Sequence, residues 1–350
     1  MARIHIPALD GARGLAAATV VVSHASNSRF LPEVLGAGLG VMGVCLFYAL
    51  SGFLMGLLYL KAPLDKVAFR RYAVSRGARV LPLYYVVILL GCVLLVGIGD
   101  SGYSFTTLNE LILNVFLLRG TGVLWSIPVE IHFYLVFIGL WFAASRGWFF
   151  AAVLGLLVLQ VLLAKGLGPW LVGARYLVLW LHVFLFGCLL AWFYQTRTGL
   201  LAVSKWRGAH LLAWGLLVLA PLAPPEIRRM LGIPVGEVFL DPFSVGYPLL
   251  ILVCSVLELG PFRFLAARWL RWLGRVSFSL YLLHIPILIF CSGIGLNDVG
   301  VPGLAFVVFV TVALVLSELS VRFIELPAQS ALRAAFLPRR PKPALDQTEN

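Results

Sequence analysis

Uninterrupted apolar runs recur along the 350-residue chain, each roughly 16–24 residues long, about what a helix needs to cross a bilayer core. Lipid offers no partner to a backbone N–H or C=O, so a run that crosses it must close its own hydrogen bonds as a helix. Composition agrees: 61% of residues are hydrophobic and 12% charged, about half the charged fraction of an ordinary soluble domain. The chain is expected to be an all-α polytopic membrane protein. The runs give ten expected transmembrane helices, near 9–26, 37–60, 80–98, 124–143, 147–164, 176–194, 209–223, 243–258, 277–295 and 301–321. The first is short and interrupted by Arg13 and His24; no small-residue cleavage site follows it, so it reads as a span and not a cleaved leader.

A net charge of +12 would suit nucleic acid, but no nucleic-acid partner is expected. The basic residues sit in short links between apolar runs, as the positive-inside rule and contact with membrane lipids require. With the N-terminus inside, the inner segments hold Arg3, Arg13, Lys61, Lys66, Arg70, Arg71, Arg76, Arg79, Arg146, Arg197, Lys205 and Arg207. They continue with Arg263, Arg268, Arg271, Arg275, Arg322, Arg333, Arg339, Arg340 and Lys342, 21 in all. The outer segments hold only six: Arg29, Arg119, Lys165, Arg175, Arg228 and Arg229. That split places both termini in the cytoplasm. Residues 1–337 form one transmembrane domain, and the Pro-rich polar tail 338–350 is expected to be disordered. No internal repeat is apparent, which weakens an inverted-repeat transporter. The five cysteines (Cys45, Cys92, Cys188, Cys254 and Cys291) lie inside apolar runs without C-x-x-C spacing, so they read as small buried hydrophobes, with neither disulfides nor a metal site.

Ionisable groups inside spans are costly and point to function. Arg13 and His24 stand eleven residues apart, three helical turns plus roughly 20°, so they share one face about 16 Å apart along the axis. Ala16, Ala17 and Val20 lie between them, which suits a long thin ligand with an anionic end inside and a reactive end outside. The plainer reading is a snorkelling arginine and an interfacial histidine. Arg76 and Arg79 lie one turn apart before the third span, a spacing suited to phosphate; anchoring to lipid headgroups is the rival reading. In WSIPVEIHFYL, Glu130 is expected at the depth of His24, where it would pair with that imidazole and make it a better base. Arg119 is the rival partner. Tyr134 shares the Glu130 face, and His132 points away and reads as structural. In GRVSFSLYLLHIP, Ser277, Tyr281 and His284 share a face behind Arg275, lining either a cavity or a helix contact. Tyr48 and Ser51 lie in FYALSGFLMG, where the small pair would kink the second span and admit a ligand. Glu325 is expected to pair with a nearby arginine. No G-x-S-x-G, H-E-x-x-H, Walker A or G-x-G-x-x-G motif occurs.

These pieces together resemble the acyltransferase 3 family, the ten-helix membrane acyltransferases that include O-antigen and exopolysaccharide O-acetylases. The matching segments, in order, are LDGARGLAAATVVVSH, GVCLFYALSGFLM, SRGARVLPLYY, LWSIPVEIHFYL, GRVSFSLYLLHIP and FIELP. The resemblance implies acyl-CoA, acetyl-CoA first, as cytoplasmic donor without a metal, and a glycan or lipid-linked glycan acceptor acylated on the outer side. Lipopolysaccharide, exopolysaccharide, periplasmic glucan and a small metabolite all fit as acceptors. It ties Arg13 and His24 to activity, and places the family's R-x-x-R pair on Arg76 and Arg79 and its W-S-x-x-x-E glutamate on Glu130. Pro128 departs from the usual small polar residue. Many relatives carry an extra outer hydrolase-like domain, and a standalone enzyme of the bacterial inner membrane is expected here.

The resulting expectation has two ends. Arg76, Arg79, Arg13 and Arg275 would hold the coenzyme phosphates, and His24, oriented by Glu130, would deprotonate an acceptor hydroxyl. An acyl-histidine intermediate is a variant, with Tyr134 or Tyr48 steadying the oxyanion. A transporter of an acidic or phosphorylated solute, or a scaffold whose polar residues serve packing alone, would use the same residues without chemistry.

Overall fold

A computed structural model describes residues 5–36, 38–167, 175–196, 200–237, 239–296 and 302–337. The tail 338–350, with Arg339, Arg340 and Lys342, lies outside the described residues, as do Arg3 and Arg197. The described residues are mostly helical, with short 3-10 and π segments, turns and loops between the helices and no β-strand. In chain order the helices are α1 (Pro7–Asn27), α2 (Leu39–Tyr59), α3 (Lys66–Ile98), α4 (Leu108–Val115), α5 (Ser126–Ser145), α6 (Phe149–Leu167) and α7 (Leu177–Thr196). There follow α8 (Leu200–Lys205), α9 (Arg207–Val218), α10 (Pro225–Met230), α11 (Tyr247–Val256), α12 (Arg268–Gly293), α13 (Pro302–Ser320) and α14 (Leu326–Phe336).

Every expected apolar run is helical, but not every helix is a span by its own length and composition. Seven stretches are long and apolar enough to cross a membrane. An eighth joins them if Pro242–Val256 and Gly260–Ala266, bent by 74°, form one broken span. The runs at 9–26 and 209–223 fall short of that standard. Helix α9 has 12 residues, about 18 Å at 1.5 Å per residue against a core of about 30 Å. Helix α1 is long enough at 21 residues but carries Asp10, Arg13, Ser23, His24 and Asn27. It lies between α2 and α12, so protein and not lipid surrounds much of it.

Two helices begin well before their apolar runs. The third starts at Lys66, where the Asp65 carboxylate accepts from the Ala68 N–H at 2.7 Å and caps it. The R-x-x-R pair therefore rides inside α3 and not in a link before it. Helix α12 starts at Arg268, ahead of 277, because RWLRWLGR is amphipathic and packs one face without needing to be apolar all round. Within α12, Pro286 has no N–H for the Leu282 carbonyl four residues back. The Tyr103 hydroxyl, from the loop after α3, donates to that carbonyl at 3.0 Å.

Small residues set how closely the central helices cross. A Cβ on Gly274 of α12 would stand 1.8 Å from the Asp10 carbonyl oxygen of α1. A Cβ on Gly52 of α2 would stand 2.1 Å from the Phe184 oxygen of α7, and one on Gly187 would stand 2.2 Å from the Ala49 oxygen. Lipid gives helices no hydrophobic reason to associate, so close backbone approach of this kind supplies the packing. Helix α6 lies at the other extreme, with Leu154, Val158, Val161 and Leu162 exposed toward lipid.

The segment between α9 and α11, expected only as an outer link, contains a buried ion pair. Arg228 is 0% exposed and donates through both terminal nitrogens to Asp241 at 2.8 Å. Asp241 also caps the turn before α11 by accepting from the Ser244 N–H and hydroxyl. Burial pushes the Asp241 carboxyl up, but the Arg228 and Ser244 hydrogen bonds outweigh it and bring it down to about 2. The pair's contribution is therefore present above the ordinary carboxylate range and lost as pH falls through about 2.

Two stability measurements in detergent follow. Gly52→Leu should lower the melting temperature sharply or abolish folding, because the α7 backbone must move, whereas Gly155→Leu on α6, with nothing within 4 Å of its Cβ position, should melt like the parent. Asp241→Ala should cost about 3–5 kcal/mol, the size expected when a buried charge loses its partner.

Candidate active site

Three adjoining cavities run through the bundle. The widest, about 820 Å³, gathers the arginines of three helices and α1: Arg13, then Arg76 and Arg79 of α3, Arg268, Arg271 and Arg275 of α12, and Arg333 of α14. The next is a waist of about 50 Å³, walled by Arg13, Arg76 and Arg79 again, with Val44, Tyr48, Ser51, Glu130 and Tyr281. The third, about 410 Å³, holds His24 with Ser23, Asn27, Ser104, Trp125 and Tyr281. Neighbouring cavities share walls: the arginines and Phe278 between the first two, Val44 and Tyr281 between the last two.

Charge is unevenly spread along this row. Of the seven arginines around the wide cavity, only Arg275 makes an ion pair among the described residues, to Glu318 at 2.8 Å. Glu318 is shared with Arg322 at 2.7 Å and with the Trp272 indole N–H at 3.0 Å. The expected phosphate ligand Arg275 thus already has a carboxylate partner on α13. Arg76, by contrast, has its Nε buried without a partner. Arg268, Arg271 and Arg333 were not expected in this site. The signal was present as a second R-x-x-R, RWLR, but it reads as an ordinary basic link until α12 is seen to begin there. Asp10 and Glu325 are the acids in the same wall. Glu325 does not pair with an arginine as expected; it accepts a short hydrogen bond from the Ser279 hydroxyl, which also lies 2.8 Å from Ser320.

The polar side chains of the waist are mostly committed to one another. Glu130 accepts through one oxygen from the Ser51 hydroxyl at 2.5 Å and the Tyr134 hydroxyl at 2.6 Å. The Ser51 bond ties α2 to α5, and the Tyr134 bond lies within α5. The expected Glu130–His24 pair is not formed: Glu130 walls the waist and His24 walls the outer chamber, because the two residues sit at different depths. Arg119 is not its partner either. Pro128 stands in the first turn of α5, where its missing N–H would lack an intrahelical partner in any case, so the glutamate keeps its place. Tyr48 reaches the Ser126 carbonyl at 3.4 Å and stacks on Phe184. Tyr281 donates to the Val123 carbonyl at 2.7 Å and accepts from the Ser126 hydroxyl at 2.8 Å. Ser277 bonds back to the Gly274 carbonyl and is fully buried, a packing residue and not a cavity wall.

The small-residue face between Arg13 and His24 is also not an open track. Ala16 and Ala17 are 0% exposed, and a Cβ on Gly43 of α2 would stand 2.4 Å from the Ala16 oxygen. Close helix packing uses that face. The way from Arg13 to His24 leads instead past Val44 and Tyr281. His24 itself has no hydrogen-bond partner among the described residues; its ring faces that of His284, centroids 5.2 Å apart. The five cysteines stand as free thiols, four of them buried and Cys92 partly so. No group of His, Cys, Asp or Glu able to hold a metal occurs among the described residues.

Since Glu130 does not touch His24, Glu130→Gln should leave the reactivity of His24 toward diethyl pyrocarbonate unchanged, as read by mass spectrometry of the His24 peptide. A large change would restore the expected pair.

The model of the acyltransferase domain family known as acyltransferase 3 matches residues 6–318. Among curated proteins, the chain is similar to YrhL of Bacillus subtilis, named as a putative peptidoglycan O-acetyltransferase, at 28% identity over 93% of this chain and 55% of that one. It is 25% identical to the O-acetyltransferase OatA of Staphylococcus aureus, over 96% of this chain and 59% of that one. It is 24% identical to the peptidoglycan O-acetyltransferase OatA of Listeria monocytogenes, over 93% and 56%. The chain thus spans little more than half the length of these relatives. No solved structure matches it.

Proposed function

Because this chain belongs to the acyltransferase 3 family, we propose that it moves an acyl group, acetyl first, from cytoplasmic acyl-CoA to a hydroxyl of a cell-envelope glycan at the opposite face of the inner membrane. The observation that carries the reading is the row of cavities. A wide chamber rich in unpaired arginines suits the phosphates of the donor, and a narrow waist suits its uncharged arm. A second chamber then brings together a histidine without a partner and room for an acceptor. The named relatives act on peptidoglycan or are O-acetyltransferases by name, so a cell-wall glycan is the first acceptor to test.

In this reading Arg76 and Arg79 hold the coenzyme pyrophosphate by bidentate, charge-assisted hydrogen bonds, with Arg13 at the mouth of the waist. The arm passes Tyr48, Ser51 and Tyr281. His24 accepts the proton of the acceptor hydroxyl as its oxygen attacks the thioester carbon. Glu130, held by two hydroxyls, balances part of the waist's positive charge and does not orient the base. The hydroxyls of Tyr48, Tyr134 and Tyr281 already donate elsewhere, so oxyanion donors must come from the outer chamber, where Trp125 and Asn27 carry N–H groups.

The same reading keeps ten spans and both termini in the cytoplasm. Protein shields α1, so it need not be apolar enough to face lipid, and the 21-to-6 distribution of Lys and Arg sets the orientation. An impermeant maleimide should reach a cysteine at Asn27 from outside and one at Lys66 only from inside, in a background stripped of native cysteines. Labelling of both from one side would overturn the topology.

The chemistry is tested with purified protein, acetyl-CoA and a glycan. His24→Ala should lose at least a factor of about 100 in transfer, at the low end of what a positioned base contributes, while still binding acetyl-CoA. Arg79→Ala should weaken acetyl-CoA binding about 10- to 150-fold, the range of a lost hydrogen bond to a charged group, and should weaken acetyl-pantetheine far less. Equal weakening of both would mean that Arg79 supports the fold and not the phosphates. A solute transporter would show no thioester cleavage at all.

A further inference from the structure

His284 is the one histidine of the bundle core, and it stands where a lining residue would have no reason to be. It is 0% exposed and is absent from the walls of the outer chamber. It lies directly behind His24, which does open onto that chamber. Its Nδ1 is 3.1 Å from the Leu280 carbonyl oxygen one turn back on α12. A carbonyl only accepts, so Nδ1 must carry the proton, and in the neutral ring Nε2 is left as a bare acceptor. That Nε2 is buried without any partner. An orphaned acceptor in a protein interior carries a desolvation penalty of roughly 1–3 kcal/mol, which calls for a donor in some state of the molecule.

The ring of His24 packs against that of His284 and is the candidate donor. The two centroids are 5.2 Å apart at an interplanar angle of 48°. A straight N–H···N bond of about 3 Å between two imidazoles puts their centroids roughly 5 Å apart, so a change of ring orientation alone, without backbone movement, would complete the bond. We propose that His284 is a positioning residue for acyl transfer: its Nε2 accepts the second N–H of His24 while His24 carries the acceptor's proton. The proposal rests on His24 being the base.

The step balances as follows. The acceptor O–H bond breaks, its proton goes to the chamber-facing nitrogen of His24, and the oxygen bonds to the thioester carbon. His24 is then an imidazolium with an N–H on each nitrogen; one faces the chamber and the other finds His284 Nε2. The C–S bond breaks, His24 returns its proton to the leaving thiolate, and ester and free thiol result. A buried carboxylate commonly fills the second position in such arrangements. Here a neutral imidazole does so, fixed in its tautomer by a backbone carbonyl. No charge has to be buried in the resting state, while Glu130 remains in the waist.

The test is steady-state kinetics of variants with acetyl-CoA and a peptidoglycan fragment as acceptor. His284→Phe keeps the ring shape and removes the acceptor atom; it should lower kcat about 10- to 100-fold, the effect of one hydrogen bond to a charged group, with KM for both substrates unchanged. In His284→Gln the side-chain oxygen reaches the Nε2 position and should recover part of the loss. In a His24→Ala background, His284→Phe should cost nothing further. If the Phe variant turns over like the parent, or if Phe and Gln fall equally, His284 only fills space and the proposal is wrong. Should His284→Phe fail to fold, Gln against Asn decides, because the Asn amide cannot reach the same point: equal turnover of the two overturns the proposal. If His24→Ala itself remains active, the fault lies with the assigned base and not with His284 alone.

Discussion

The backbone contact between α1 and α12 sets the geometry on which the other parts depend. Gly274 lets the α1 carbonyl at Asp10 sit against the α12 backbone, closer than any side chain would allow. That crossing gives α1, with its arginine and histidine, and the amphipathic start of α12 a protein neighbour in place of lipid. Each helix burdened with polar groups is made tolerable in the membrane by the other. The crossing also fixes which α12 residues face α1. Arg268, Arg271 and Arg275 meet Arg13 around one cavity, Tyr281 borders the waist, and His284 meets His24, successive levels of the same pair of helices.

Charge along these levels falls in a pattern that the proposed transfer between two aqueous substrates would require. Seven arginines around one cavity repel one another, and only one is neutralised by an ion pair among the described residues. In a partly dry site that repulsion is costly, and a polyanion relieves it. The waist holds three of those arginines and one carboxylate. Beyond it, no arginine lines the chamber around His24 among the described residues. An anionic ligand is therefore attracted up to the waist and gains nothing by passing it, whereas an uncharged extension meets a wall that is largely apolar or already hydrogen-bonded, with Val44, Phe47, Tyr48, Ser51 and Tyr281 in it, and then the next cavity.

Helix positions were legible in the sequence because apolar length is a strong signal; polar contacts between helices were less so. The R-x10-H spacing put Arg13 and His24 on one helix face, and the two open onto connected cavities, yet the track between them was misjudged. Small residues on a helix face read equally as space for a ligand and as a seat for another helix, and Gly43 of α2 occupies the seat. The Glu130–His24 pair failed for a related reason. Depth counted from the end of an apolar run locates a residue to within a turn or so, and the waist and the outer chamber adjoin closely enough to share Val44 and Tyr281 as walls. The start of α12 was missed because hydropathy registers the lipid-facing stretch and not its amphipathic extension. That error concealed Arg268 and Arg271. The Arg228–Asp241 pair had no sequence signal, since nothing local marks an outer loop as buried.

The state of each polar atom separates support from function more sharply than burial does. The hydroxyls of Ser23, Ser51, Tyr134, Ser277 and Tyr281 all donate to protein acceptors, and each bond ties helices or turns together. Such atoms cannot serve a substrate without the fold losing a contact of about 1 kcal/mol. Along the cavities the arginines without an ion pair among the described residues are Arg13, Arg76 with its buried Nε, Arg79, Arg268, Arg271 and Arg333, and His24 stands without a hydrogen-bond partner, backed by the bare Nε2 of His284. Other buried atoms without partners occur on Gln160, Gln195 and Arg228, but none of those side chains borders the row of cavities. Among the described residues, only along that row do arginines without an ion pair and an imidazole without a hydrogen-bond partner occur on connected walls, and those are the two groups that the proposed thioester donor and hydroxyl acceptor would need.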